Sequence, residues 1–559
     1  MSESFKELMH GEKIAYFSME IGLMKEMPTY SGGLGVLAGD TLKSSADLGL
    51  PLVGLTLVSR KGYLRQSLDS QGLQTAYPDE WDPTRLLTPL PEHVIVDIGE
   101  RKVVVRAWLY RLHSLTGGEV PIIFLDTDTE ENAPQDREIT HHLYGGDDRY
   151  RLMQEMILGI CGVRMLDVLG FKIRKYHMNE GHSSLLAMEL LQRHGMSAET
   201  VKEMCIFTTH TPVEAAYDRF PYSLVEELLG DEANIEILKR FGGRDMLNMT
   251  LLALNLSNYV NGVAKRHREI GMAMFPGYKI HAITNGVHSY TWTCPCFRTI
   301  YDKYIPGWAN EPEKLVRVGG IPDEEIWEKH MAAKQVLIDY VNEETGKGMD
   351  LETLTLGFAR RATHYKRPAL IFSDLERLRR ASRRGRIQIV LAGKAHPRDE
   401  AGKKEIQEIF KYINVLQDEI KVAYLQNYDI ELAGKMVSGV DVWLNTPLPP
   451  MEASGTSGMK AAHNGVVNFS VLDGWWIEGW IEGVTGWSIG PEPWENVSYE
   501  EARAREKDDL YSKLIYIIIP MFYQRRDSWI EMMNNSIGMV ANYFNSHRMM
   551  RRYVTEAYL

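Results

Sequence analysis

Thr353-Leu354-Thr355-Leu356-Gly357-Phe358-Ala359 and Ile387-Gln388-Ile389-Val390-Leu391-Ala392 are short apolar runs, and the amphipathic stretch Arg367–Arg380 lies between them. A short apolar run without polar alternation is the pattern of a strand buried on both faces. Parallel neighbours need a crossover of about a dozen residues or more, usually a helix. The stretch therefore predicts one β-helix-β unit of a parallel sheet. The same rhythm extends downstream through Ile420–Tyr424 and Val442–Asn445. Upstream it is found at Ala15–Phe17, Leu52–Val58, His93–Val96, Val103–Leu109, Val120–Leu125 and Cys205–Thr209. Helical patterns stand at Arg149–Leu169, Ser223–Leu229 and Asp323–Asn342. The expected class is α/β.

At 559 residues the chain exceeds what one hydrophobic core organises. The rhythm pauses from Trp292 to Pro322, a stretch with several prolines and aromatics, and restarts with Asp323–Asn342. A linker is expected near residues 290–325, with an α/β domain on either side. The tail from Asp508 reads as helices broken at Pro520 and near Asn545. In open α/β sheets the ligand crevice lies at the carboxyl ends of the strands, so residues just beyond predicted strands carry the functional argument.

Composition narrows the field. The 44% hydrophobic and 25% charged fractions are those of a folded globular body. A formal net charge of −12 argues against a nucleic-acid partner, since phosphate backbones are met by clustered basic side chains. Any anionic substrate must be met by local cations against the overall sign. Four cysteines (Cys161, Cys205, Cys294, Cys296) read as free thiols, and Cys294-Pro295-Cys296 lacks the spacing of a zinc or redox motif. Met1–Lys13 has no signal-peptide core and no run reaches the length of a membrane span. A cytoplasmic protein is expected.

Four groups of residues carry chemistry. The glycine cluster Tyr30-Ser31-Gly32-Gly33-Leu34-Gly35-Val36-Leu37-Ala38-Gly39-Asp40 precedes a helical pattern over Thr41–Leu48; it is either a tight turn or an anion site, and it matches neither a Walker loop nor a dinucleotide fingerprint. Arg360-Arg361-Ala362-Thr363-His364-Tyr365-Lys366-Arg367 puts four Arg and Lys cations at a strand's carboxyl end; an anion site and a solvated basic helix start both fit. Glu452-Ala453-Ser454-Gly455-Thr456-Ser457-Gly458-Met459-Lys460 offers small residues with free N–H groups and hydroxyls for a phosphate, then a lysine placed as pyridoxal phosphate requires. Polar clusters at predicted strand ends complete the set: Asn179-Glu180-Gly181-His182, Thr208-Thr209-His210-Thr211-Pro212 and Thr284-Asn285-Gly286-Val287-His288. There is no H-E-x-x-H metal pattern.

In chain order, SGGLGVLAGD, NEGHSS, TTHTPV, YVNGVAKRH, ITNGV, RRATHYKR, EASGTSGMK and VLDGWW resemble the glycogen/starch/maltodextrin phosphorylase family, in its compact bacterial and archaeal form, from about residue 13 to 490. The resemblance implies the GT-B fold: two Rossmann-like domains facing a central cleft. Residues 1–300 would form the glucan side, and 301–559 the pyridoxal-phosphate side, with C-terminal helices crossing back to the first domain. It implies pyridoxal 5′-phosphate as cofactor and Lys460 as its Schiff-base lysine. The cofactor phosphate would be held by Arg360, Lys366, Thr456, Ser457 and Gly458, with Tyr428 and Trp292 nearby. Arg361, Lys366 and the backbone N–H of Gly33 would bind the substrate phosphate. The glucose would be gripped by His210, Val263, Asn285, Glu452, Ser454 and Gly455 beside Leu34, with His182 at its edge and Asp147 in the loop guarding it.

The activity implied is phosphorolysis of an α-1,4-glucan or maltodextrin by orthophosphate, releasing glucose 1-phosphate with retention, in a homodimer. Asp429 stands where many relatives carry a basic residue, so that position is not counted as a ligand. The sequence begins almost directly at Ile14-Ala15-Tyr16-Phe17-Ser18, and the expectation is that phosphorylation and nucleotide control are absent; several-fold activation by AMP would contradict it. Two other readings compete. One is a nucleotide-sugar-dependent glycogen/starch synthase-like glucosyltransferase, which shares the glycine loop and an Arg/Lys pair but needs no lysine at 460. The other is a catalytically silent glucan-binding protein.

Overall fold

The computed structural model describes residues 8–213 and 217–559; the first seven residues of Met1–Lys13 lie outside the described residues. The chain divides into two compact units, one of Met1–Leu64, Pro78–Thr284 and Met549–Leu559, the other of Arg65–Tyr77 and Asn285–Arg548.

The first unit is built on a nine-stranded sheet. Its strands are β1 (Glu12–Ser18), β2 (Leu52–Leu57), β3 (Thr88–Ile98), β4 (Arg101–His113), β5 (Glu119–Asp126), β6 (Lys172–Asn179), β7 (Cys205–Thr208), β8 (Tyr259–Gly262) and β9 (His281–Ala282). The spatial order is β9-β8-β7-β6-β1-β2-β5-β4-β3. All neighbours are parallel except β3–β4 and β4–β5, which form an antiparallel edge. Along β1 the pleat sends Ala15 and Phe17 into one core, with Leu55, Met156 and Phe207, and Ile14 and Tyr16 into the other, with Leu42, Phe124 and Tyr558. The chain ends in this unit: Tyr558 Oη lies 2.8 Å from His177 Nδ1, and Tyr553 Oη 3.2 Å from Thr208 Oγ1.

The second unit carries β10 (Leu354–Ala359), β11 (Ile387–Ala392), β12 (Lys421–Leu425), β13 (Val442–Asn445), β14 (Val467–Val471) and β15 (Gly486–Ile489). They are parallel throughout, in the order β12-β11-β10-β13-β14-β15. This is the doubly wound arrangement, reversing direction between β10 and β13. The first unit has its own reversal, between β1 and β6. Every residue of β10 and of β11 is buried, as the apolar runs predict. Gly357 serves close packing: a Cβ there would stand 2.6 Å from Val440 Cγ1. Among the described residues no helix is long and apolar enough to cross a membrane.

The α/β expectation holds, with local corrections. The helix expected over Arg367–Arg380 starts later: Pro368–Phe372 is a 3₁₀ turn, and the helix proper is Leu375–Arg384, capped by Asp374, whose Oδ1 accepts from Arg377 N at 3.1 Å. Arg367 precedes a proline, which disfavours the helical region, and it adopts φ +48°. The expected linker near 290–325 is largely helical, over Ser289–Trp292, Pro295–Tyr304 and Pro312–Gly320. Pro520 does not break the tail. A π turn over Leu514–Ile518 leads into Ile519–Gln524, and the wider turn accommodates the missing N–H.

Candidate active site

Both points where strand order reverses are lined by the polar motifs. In the second unit, β10 delivers the basic run and β13 delivers the segment from Asn445 to Lys460. The Arg360 guanidinium donates to Asn445 Oδ1 and to Glu452 Oε2, and Lys366 Nζ donates to the same Glu452 oxygen at 2.7 Å. Glu452 is 6% exposed and Lys366 8%. Burial by itself would push the Glu452 carboxyl up; the two cations outweigh it and hold the group at about 2. Two cations sharing one carboxylate leave one positive charge in excess. The basic run is thus an irregular turn aimed at a carboxylate, rather than a solvated helix start. Arg361 is exposed.

Lys460 lies on a short helix, α1 (Ser457–Ala462), and is itself buried. Its Nζ stands 3.9 Å from the centroid of the Trp292 ring. Asn464 ties the two together, donating from Nδ2 to the carbonyls of Trp292 (2.8 Å) and Lys460 (3.1 Å). Gly455 has φ +76°, so the turn before the helix suits glycine. At Gly458 a Cβ would stand 2.2 Å from Asn468 Oδ1 and 2.7 Å from the Trp475 ring. Thr456 is the N-cap of α1 and caps nothing with its side chain, while Ser457 Oγ accepts from Trp443 Nε1 at 3.0 Å. Ser454 is buried and its Oγ donates to the Gly455 carbonyl at 3.1 Å. Burial pushes the Tyr428 phenol up. Asp429 caps the next helix, Ile430–Gly439, accepting from Leu432 N at 2.8 Å, which gives this departure from the family pattern a local role. Asn285 is 4% exposed and its buried Oδ1 has no partner among the described residues.

In the first unit the glycine cluster starts the helix Gly33–Asp47, earlier than Thr41, with Gly32 as N-cap and Leu34 in its first turn. The N–H groups of Ser31 (2.6 Å) and Gly32 (3.2 Å) donate to Glu20 Oε2, and Tyr144 Oη donates to Glu20 Oε1 at 2.8 Å. An internal carboxylate, absent from the sequence reading, therefore occupies part of this loop's N–H array. At the end of β6, Glu180 adopts φ +72° and its Oε2 accepts from His210 N (2.7 Å) and Thr211 Oγ1 (2.9 Å). His210 Nε2 lies 2.7 Å from Asn179 Oδ1. Burial brings the His210 imidazole down to about 3, so it is neutral at pH 7.

His182 is likewise brought down to about 3, by burial and by Arg151; it lies 3.5 Å from Asp218 Oδ2 and edge-on to the Tyr144 ring. Arg151 bonds Glu155 Oε1 (3.1 Å) and Asp218 Oδ2 (2.9 Å), a cluster no motif signalled. Asp147 caps the helix Asp148–Met156, accepting from Tyr150 N at 3.0 Å. Val263 is buried, its N–H donating to His267 Nδ1 at 3.2 Å. Gly33, Leu34, Asp147, His182, His210 and Val263 thus belong to the first unit; Asn285, Glu452, Ser454, Gly455 and the expected cofactor residues belong to the second.

Comparison with known proteins gives this arrangement its family. The model of the carbohydrate phosphorylase family matches residues 231–484. A maltodextrin phosphorylase of Thermococcus litoralis is 39% identical over 98% of this chain and 70% of its own length. A glycogen phosphorylase of Aquifex aeolicus is 36% identical over 98% of this chain and 86% of its own, and one of Mycobacterium tuberculosis 35% over 98% and 70%. The chain belongs to the carbohydrate phosphorylase family. A phosphorylase of this family has use for pyridoxal phosphate, and the residues present fit that group by their chemistry. They supply a buried primary amine against an indole face, hydroxyls and N–H groups at the start of α1, and one uncompensated cation nearby for a phosphate.

Proposed function

We propose that this chain cleaves α-1,4-glucan with orthophosphate, releasing α-D-glucose 1-phosphate with retention of configuration, and that pyridoxal 5′-phosphate is its cofactor. The observation that carries the reading is Lys460: a buried amine on the Trp292 face, directly after the Ser/Gly/Thr turn and in the same unit as the Arg360–Glu452–Lys366 cluster. A nucleotide-sugar transferase has no use for that amine.

In this reading Lys460 anchors the cofactor, while Arg360, Lys366 and the helix start at Thr456, Ser457 and Gly458 hold its phosphate, near Tyr428 and Trp292. When bound, the cofactor supplies a phosphate that gives and takes a proton beside the substrate phosphate. Arg361, Lys366 and the Gly33 N–H bind orthophosphate. Two phosphates side by side repel, and the cations offset that repulsion. Positive charge develops on the glucosyl ring, and the His210 carbonyl faces it; Glu180 and Asn179 hold His210 from its N–H and from its ring, so the imidazole stays neutral and fixed. Glu452, Ser454, Gly455, Asn285 and Val263 grip the glucose, for which the unpartnered Asn285 Oδ1 is a ready acceptor. Leu34, His182 and Asp147 border it. The first unit would form the glucan side of the enzyme and the second the cofactor side, so the expected boundary at 300/301 moves back to Thr284/Asn285, with Arg65–Tyr77 joining the second unit and Met549–Leu559 the first.

The test is twofold. Purified protein incubated with maltoheptaose and phosphate is expected to release glucose 1-phosphate, and borohydride reduction is expected to leave a pyridoxyl-phosphate adduct on Lys460 in peptide mass spectra. Product without an adduct would refute the cofactor. No phosphate-dependent product from adduct-bearing protein would refute the reaction. Neither would return the reading to a nucleotide-sugar transferase.

A further inference from the structure

Asp473 follows β14 and is 3% exposed, yet the chemistry above makes no use of it. Its carboxylate accepts two main-chain N–H groups, from Gly474 to Oδ1 and from Glu452 to Oδ2, each at 2.9 Å. The neighbouring residues complete a clasp. Trp475 N donates to the Ser454 carbonyl at 2.9 Å. Gly474, at φ +57°, passes so close beneath Ser454 that a Cβ would stand 2.2 Å from its oxygen. Residues 451–456 have no helix or strand of their own, so these contacts from the turn after β14 fix where the segment runs. Glu452, at the clasped end, is the acceptor shared by Arg360 and Lys366.

We infer that Asp473 is a positioning residue of the phosphorolysis site, fixing the main chain at Glu452 and, through the Glu452 carboxylate, the places of Arg360 and Lys366. The inference rests on the roles given to those three residues above. The charged groups acting on Asp473 are Glu452 across the clasp and Lys366 from the segment after β10. Burial and the Glu452 charge raise its carboxyl to about 7, against the pull of the two N–H groups and Lys366. A carboxyl raised that far gives the positioning role a signature in the pH dependence of turnover, separate from any effect on folding.

The experiment compares wild type with Asp473→Asn as full-length, cofactor-loaded enzyme. Asparagine keeps the size but offers one acceptor oxygen, so one of the two N–H groups faces an amide N–H instead. The expected result is a kcat lower by ~10²-fold, the scale of a small misplacement of reacting groups. KM for maltoheptaose should stay within about twofold, and the ionisation near 7 should vanish from the pH dependence of kcat. If Asp473→Asn keeps kcat within about twofold and the wild-type pH profile, losing only thermal stability, the inference is overturned. Should that variant not accumulate as folded protein, Asp473→Glu carries the test. It retains both acceptors, so the ionisation should persist while the longer side chain lowers kcat by roughly tenfold; an unchanged kcat overturns the inference. Glu452→Gln, assayed alongside, separates the two levels. If Glu452→Gln turns over like wild type, the reading of Glu452 fails; if it is impaired and Asp473→Asn is not, only the role of Asp473 falls.

Discussion

Replacing Glu452 with glutamine removes the one carboxylate shared by two buried cations, and the consequences can be worked through. The carboxyl sits at about 2 against an ordinary 4.5. At ~1.4 kcal/mol per pH unit this corresponds to ~3 kcal/mol. The group is 6% exposed, so solvent screening takes little from that figure. The sum agrees with the ~3–5 kcal/mol lost when one partner of a buried ion pair is removed. The sign follows from a depressed carboxyl: its stabilisation is fully present above pH 4.5 and is lost as the pH falls toward 2.

Glu452→Gln should therefore be less stable than wild type by ~3 kcal/mol at pH 7, and by roughly half that near pH 3. The assay is urea unfolding followed by tryptophan fluorescence, which reports chiefly on the second unit, since only Trp81 and Trp108 of the chain's 12 tryptophans lie in the first. Phosphate supplies a second arm. With Arg360 and Lys366 left without their carboxylate, added phosphate should stabilise Glu452→Gln more than wild type, by mass action on the state that binds it. Equal stability at pH 7, or a deficit that does not shrink on acidification, would refute the electrostatic account of this cluster.

Arg361→Ala is expected to lose phosphate-dependent turnover by ~10²-fold, the scale of removing one electrostatic stabiliser; unchanged turnover would remove Arg361 from the site. Gly458→Ala puts a Cβ 2.2 Å from Asn468 Oδ1 at the start of the helix bearing Lys460, and should cost ~1–3 kcal/mol in urea unfolding together with weaker cofactor retention; wild-type values for both would contradict the packing argument. Iodoacetamide at pH 7 should modify Cys296 first, because a hydrogen bond from Cys294 lowers its thiol, while Cys161 and Cys205 are buried and their thiols pushed up; peptide mapping that finds Cys161 or Cys205 modified earlier would refute this.

Why some of this was legible in the sequence and some was not follows from how each residue is satisfied. β10 and β11 are buried on both faces, so their apolar runs could be read directly. Lys172–Asn179 was missed because its first half is charged and only its second half is buried. Tyr259–Gly262 and Val467–Val471 were missed too, although every residue of each is buried: at four and five residues they are too short for periodicity to separate from the helices around them. Lys460, Arg360 and Lys366 could be picked out because cations beyond strand ends are unusual in an acidic chain. Glu20, Glu180 and Asp473 could not be assigned roles, because what satisfies them is mainly backbone N–H groups, some from distant loops, and no residue type marks an N–H group. The Arg151–Glu155–Asp218 cluster joins a helix to a loop more than sixty residues on, a pairing invisible before the fold is known.

These buried carboxylates decide which reversal point can take an anion. In the first unit Glu20 already accepts from Ser31 and Gly32, so part of the glycine loop's N–H array is spent on an internal negative charge. That environment suits a neutral sugar with at most one phosphate contact at Gly33. In the second unit Arg360 and Lys366 face Glu452, and one positive charge is left over. If Asp473 were ionised as an ordinary aspartate it would offset that remainder and weaken the pull on an incoming phosphate. Burial of Asp473 beside Glu452 raises its carboxyl to about 7, so below that pH it is mainly protonated and offsets little of the local positive charge in a protein whose net charge is −12. The same carboxyl that is inferred to fix the Glu452 loop by geometry would thus, in its protonated form, preserve the cationic character that the proposed phosphate site requires.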